Sequence, residues 1–128
     1  MIEPLPLFVF GTLRQGHSNH HLLADALLHC VPATLPGFRR GVTEHGFPSA
    51  ELDLDARLEG ELIHLRPETY LATLARLDEL EDLPPGQLRG RFYQRAIVAV
   101  QTAEGPVLAW AYIDPLCPVN PAGQALLA

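Results

Sequence analysis

No lysine occurs in the 128 residues; all nine basic side chains other than histidine are arginines. Schiff-base and lysine-nucleophile chemistry are therefore excluded. Cysteine is scarce as well. Cys30 and Cys117 stand far apart, leaving no CxxC spacing for a metal or redox pair, and both read as packing residues. No apolar run approaches the roughly 18 to 20 residues of a membrane span. The N-terminus, MIEPLPLFVFG, carries Glu3 and two prolines but none of the basic residues that open a secretory signal, so a cytoplasmic location without membrane association is expected. The net charge of −6 and the scattered arginines argue against nucleic acid as a partner. No spacing of His, Cys, Asp or Glu resembles a metal-ligand set. His17, His20 and His21 crowd one helix start, and His20 and His21, being adjacent, point in different directions. Neither a metal nor a cofactor is expected.

What the chain does have is apolar content of 48%, normal for a globular protein, and length enough for one domain with its own core. Residues 5–11 read as a first strand ending at Gly11. Ser18 then suits the N-cap of a helix over NHHLLADALLH. Residues 33–43 read as one or two short strands around Pro36-Gly37. ARLEGELIHLR, residues 56–66, alternates apolar and charged positions, as a half-buried strand does. Pro67 opens a second helix running to about residue 80. EDLPPGQLRGR is a loop, and FYQRAIVAV and PVLAWAYI form a hairpin across QTAEG. Residues 114–128 read as an irregular proline-rich tail of this single 1–128 domain. The expected class is α+β: a small mixed, barrel-like sheet of five or six strands with two main helices.

One carboxylate falls on an apolar stripe. In PETYLATLARLDELED, Leu71, Leu74 and Leu77 recur at every third position, and Glu81 projects within roughly 20° of their common direction if the helix continues that far. Asp78 falls near one edge of the stripe. A carboxylate in an apolar surround must be paired, hydrogen-bonded or held protonated. Three readings follow from periodicity: Glu81 pairs with an arginine such as Arg95, or lies exposed past the helix end, or is a general base with a pKa raised by desolvation.

The stretch LFVFGTLRQGHSN sets a buried run, Leu7 to Phe10, against Gly11 and then offers Thr12, Arg14 and Asn19, which serve either a turn or a ligand. FGTLRQGHSNHHLL resembles the opening motif of the γ-glutamylcyclotransferase-like family, which includes the avirulence-induced-gene-like and γ-glutamylamine cyclotransferase proteins. The resemblance continues in family order through GFPSA, LEGELIHL, LARLDELE, FYQRAIVAV and VLAWAYI, over residues 6–113. It departs at Phe10, where the family usually has Tyr; Tyr112 is one candidate to replace the missing phenol.

The resemblance implies a barrel-like α+β fold and a small γ-glutamyl substrate. The substrate's α-amine attacks its own γ-carbonyl, releasing 5-oxoproline and a free amine without cofactor or metal. Glu81 matches the family's catalytic glutamate and would act as general acid/base. Phe10, Gly11, Thr12, Leu13, Arg14 and Asn19, with Tyr93, Arg95 and Tyr112, match its substrate-binding positions. Backbone N–H groups of Gly11, Thr12 and Leu13 would face the anionic part of the substrate or its developing oxyanion, since successive N–H groups form an anion nest. Two rival readings share the pocket: a non-catalytic binding module, and an enzyme acting on a different amide or transferring an acyl group.

Overall fold

Two long strands carry most of the architecture. The computed structural model describes residues 4–10, 26–42, 46 and 48–125. In chain order they form β1 (Leu7–Val9), β2 (Leu27–Val42), β3 (Pro48–Leu65), a 3-10 turn (Pro67–Thr69), α1 (Tyr70–Leu80), β4 (Gln94–Thr102) and β5 (Gly105–Ile113). The sheet closes into a barrel in the order β1-β3-β2-β4-β5. It is mixed, because β1 runs parallel to β5, with Leu7 opposite Trp110, whereas β1–β3, β2–β3 and β4–β5 are antiparallel. This is the small α+β barrel expected, with one main helix among the described residues.

Alternation sorts the strands' side chains into two layers. Phe8, Phe10, Leu35, Leu58, Leu62, Val98 and Ile113 fill the barrel interior. Leu7, Val9, Ile63, Tyr93 and Tyr112 face outward and pack under α1 with Tyr70, Leu74 and Leu77. At Gly60 of β3, β1 leaves no room for a side chain. A Cβ there would overlap the Val9 carbonyl oxygen and meet the Phe8 ring at 2.8 Å.

Several boundaries differ from the sequence reading. Of the first expected helix, residues 19–25 lie outside the described residues, but Leu27–His29 belong to β2. Leu27 pairs with Leu65 and His29 with His64, and that long-range ladder overrides local helix propensity. Pro36-Gly37 is not a turn between short strands. Gly37, at φ +86°, sits in an irregularity where the β2 partner jumps from Arg57 to Leu52. The excursion on β3 is tied by the Asp55 N–H, which donates to Asp53 Oδ1 at 3.1 Å. β4 starts two residues later than expected, and both hairpin strands run further into the connection, leaving Ala103 and Glu104 as the hairpin loop. In the tail, Ile97 donates to Gly123 and accepts from Ala125, so residues 123–125 hydrogen-bond to β4 near its sparse junction with β2, where Thr34 opposite Gln101 is the described pair.

The helix is also rotated from its expected face. Leu71 is 79% exposed, and the buried positions are Tyr70, Thr73, Leu74 and Leu77. Tyr70, Leu74 and Leu77 follow the four-then-three spacing of an amphipathic helix, and another four residues reach Glu81. The α1 C-terminus closes as a Schellman motif. Leu83 N–H donates to the Asp78 carbonyl and Asp82 N–H to that of Glu79, with Asp82 left-handed at φ +62°. Glu81 is the C-cap and keeps near-helical geometry.

Thr73 carries a fully buried hydroxyl with no hydrogen-bond partner among the described residues. Thr73→Val keeps the shape and the β-branch and removes the unsatisfied group. It is expected to raise stability by about 1 kcal/mol in urea unfolding.

Candidate active site

A helix and two strands converge on one polar cluster in the outer layer. Tyr93 precedes β4 and Arg95 lies within it; both project to the outer face. Arg95 stands opposite Tyr112 of β5, and Ile97 opposite Trp110, so Trp110 and Tyr112 share that face. Asp78 reaches down from α1 to join them. Arg95 donates from Nε to Asp78 Oδ1 at 2.8 Å and from Nη2 to Asp78 Oδ2 at 3.1 Å. The Tyr112 hydroxyl donates to the same Oδ1 at 2.7 Å. One face of the guanidinium lies over Trp110, with Cζ 4.4 Å from the ring centroid. A bidentate carboxylate and a stacked indole together fix the position of Arg95.

Glu81 sits one turn beyond Asp78, half-buried, and has no salt bridge among the described residues. The reading in which it pairs with Arg95 is therefore set aside, because Asp78 holds that guanidinium. Burial pushes the Glu81 carboxyl up from 4.5 to about 7. Burial, then the Glu81 charge, pushes the Tyr93 hydroxyl up to about 12. Tyr112 is raised further by burial and by its hydrogen bond to Asp78, with the Glu81 charge contributing. Both phenols thus lie within the electrostatic reach of Glu81. The Tyr93 hydroxyl donates to the Pro48 carbonyl at 2.6 Å, and the Tyr70 hydroxyl to that of Leu5 at 2.7 Å.

Of the residues expected in the site, Glu81, Tyr93, Arg95 and Tyr112 come together. Phe10 packs in the barrel interior, its ring 6.4 Å from that of Phe8, rather than in the tyrosine layer. Its carbonyl accepts from Arg40 Nη1 at 3.2 Å, which anchors the strand end just before Gly11. Gly11, Thr12, Leu13, Arg14 and Asn19 lie outside the described residues. Asp78 is the organising residue that the sequence reading passed over. Its signal was its place three residues before Glu81, on the same helix edge as the inward carboxylate. Alternation along β5 puts Trp110 on the face of Tyr112, whereas its contact with Arg95 has no local sequence signal.

An exposed acid at a helix end does little chemistry at neutral pH. A half-buried one that titrates near neutrality can take a proton and return it. A closed mixed barrel with such an acid on the one α-helix among its described residues, beside tyrosines, is the class of protein that these elements define. The pattern of the family described as "Gamma-glutamyl cyclotransferase, AIG2-like" matches residues 7–124, and the chain belongs to that family. It is 35% identical over 108 residues to the γ-L-glutamyl-butirosin B γ-glutamyl cyclotransferase of Niallia circulans, covering 84% of this chain. The chain spans 65% of that relative's length. An AIG2-like protein of Mus musculus superposes with a TM-score of 0.66 at 23% identity, covering 97% of this chain and 86% of its own. YkqA of Bacillus subtilis superposes at 0.64 with 24% identity, covering 86% of this chain and 35% of its own. These two structures share the fold. No helix among the described residues is long and apolar enough to cross a membrane.

Proposed function

We propose that the protein is a γ-glutamyl cyclotransferase acting on a small γ-glutamyl amide, with Glu81 as its general acid/base. The observation that carries this reading is the Glu81 carboxyl, half-buried beside Tyr93 and Tyr112, where burial pushes it up to about 7. The substrate's α-amine is an ammonium near neutral pH and cannot attack until it loses a proton. Ionised Glu81 takes that proton. The freed amine adds to the γ-carbonyl within the same molecule, closing a five-membered ring, and the C–N bond to the leaving amine breaks. Glu81 returns the proton to the departing nitrogen, and the ring nitrogen gives up its second extra proton to the released amine, so the products are 5-oxoproline and the free amine in its ammonium form. The nucleophile comes from the substrate, and holding it folded on itself supplies the proximity term.

The anionic part of the substrate, or its developing oxyanion, is assigned to the backbone N–H groups of Gly11, Thr12 and Leu13. This assignment rests on the family motif; the Arg40 bond to the Phe10 carbonyl anchors the last described residue before Gly11. Arg14 and Asn19 are assigned to substrate binding on the motif alone.

The test is incubation with a panel of γ-glutamyl amides and assay for 5-oxoproline. Release from one or more of them is expected. Binding without release would favour a non-catalytic module. Each of these steps is a proton transfer or an addition that Glu81 and the N–H groups can serve. Turnover is therefore expected to survive chelation; reversible loss on chelation, restored by a divalent metal, would contradict the mechanism.

A further inference from the structure

The hydroxyl hydrogens of the two tyrosines beside Glu81 are already committed. Tyr93 donates to the Pro48 carbonyl, an atom that can only accept, and Tyr112 donates to an Asp78 oxygen that also accepts from Arg95. A phenol has one hydrogen. What Tyr93 and Tyr112 can still offer an occupant of the site is lone pairs. Such oxygens cannot stabilise an oxyanion; they suit a donor. Among the described residues, the Glu81 charge acts on Tyr93, just before β4, and on Tyr112 of β5, and the Asp78–Arg95 pair joins them through Tyr112. Arg95, the cation among them, has two of its three nitrogens on Asp78 and a face on Trp110.

We infer that Asp78 is a positioning residue: by holding the Tyr112 hydrogen it turns the Tyr112 oxygen into an acceptor, and that oxygen, with the Tyr93 oxygen whose hydrogen Pro48 holds, selects the protonated amine of the substrate beside Glu81. The inference deepens the cyclotransferase reading and rests on it for the identity of the amine. The ammonium is held by tyrosine oxygens and handed to Glu81. With Asp78 absent, the Tyr112 hydrogen is free to donate to the Glu81 carboxylate. That bond favours the ionised form and makes Glu81 a weaker base.

Two measurements test this, and neither requires turnover. In the first, the Glu81 carboxyl is titrated by NMR in the wild type, Asp78→Ala, Tyr112→Phe and the double variant. Asp78→Ala also releases Arg95, so the informative quantity is the coupling. Tyr112→Phe is expected to raise the Glu81 pKa by about one pH unit in the Asp78→Ala background, and to leave it nearly unchanged where Asp78 is present. Equal effects in the two backgrounds would overturn the proposal. In the second, calorimetry compares a γ-glutamyl amide with the glutaryl amide that lacks only the α-amine. Tyr112→Phe, made in the presence of Asp78, is expected to weaken the γ-glutamyl amide about tenfold and leave the glutaryl amide unchanged. Equal weakening of both ligands would overturn the proposal, as would a wild-type protein that binds neither. Should Asp78→Ala fail to fold, this second comparison decides alone. Amine-selective binding that depends on Tyr112, without release of 5-oxoproline, would remove the cyclotransferase reading and leave the amine site standing.

Discussion

Glu81→Gln is expected to lower turnover by about 10²- to 10⁴-fold, the usual contribution of a positioned acid/base. The amide keeps the shape of the side chain but can neither accept the substrate's proton nor return it. In the wild type, kcat/KM is expected to rise with pH as Glu81 ionises, with an apparent midpoint near its pKa of about 7. That limb should vanish in the variant's residual activity.

Stability is expected to move the other way. The folded-state pKa of Glu81 is raised above its ordinary value, so the protonated form is the one the fold favours. The stabilisation it gives is fully present below about pH 4.5 and is lost as pH rises through about 7. Glu81→Gln carries no charge at any pH. Its stability advantage over the wild type should open between those values and level off above them, reaching at most about 3 kcal/mol. Urea unfolding of both proteins at pH 4 and pH 8 measures the difference. Full turnover in the variant, or a stability gap that does not widen with pH, would remove Glu81 from its assigned role.

The second large effect is expected at Gly60. Gly60→Val places a Cβ against the Val9 carbonyl oxygen and the Phe8 ring. Backbone cannot yield there as a flexible side chain would. β1 would have to leave β3, and the barrel would lose the strand that also closes it onto β5. The expected loss exceeds the 1 to 3 kcal/mol or so of ordinary overpacking and is large enough to leave a largely unfolded protein. Circular dichroism and a urea titration would show it. Gly60→Ala meets the same oxygen with its Cβ and should be damaging too, though less so. A variant of native stability would mean that β1 does not approach β3 as closely as described.

The helix carboxylate was legible in the sequence because helical period alone aims a side chain. The stripe was misread at Leu71, which is exposed, yet Leu74 and Leu77 kept the direction and Glu81 stayed on it. Tyr93 with Arg95, and Trp110 with Tyr112, were legible for the same kind of reason: a two-residue period puts each pair on one face. The partner of Arg95 was not. Choosing Asp78 over Glu81 depends on the height at which α1 crosses β4 and β5, and no local pattern carries that. The ladder that takes Leu27–His29 into a strand was hidden because its partners lie near residue 65. Pro36-Gly37 signals a break in regular backbone, and a break it is; whether it makes a turn or a bulge is settled by β3 on the far side.

The division of aromatic residues between the layers has an optical consequence. The chain has one tryptophan and three tyrosines, and Trp110, Tyr70, Tyr93 and Tyr112 all belong to the layer under α1. Phe8, Phe10 and Phe38 serve the barrel interior. Intrinsic fluorescence therefore looks at the neighbourhood of Glu81 and is blind to the barrel core. Trp110 lies against the Arg95 guanidinium, so its emission is a natural dye for anything that disturbs the Asp78–Arg95 pair, whether an arriving ligand or the charging of Glu81.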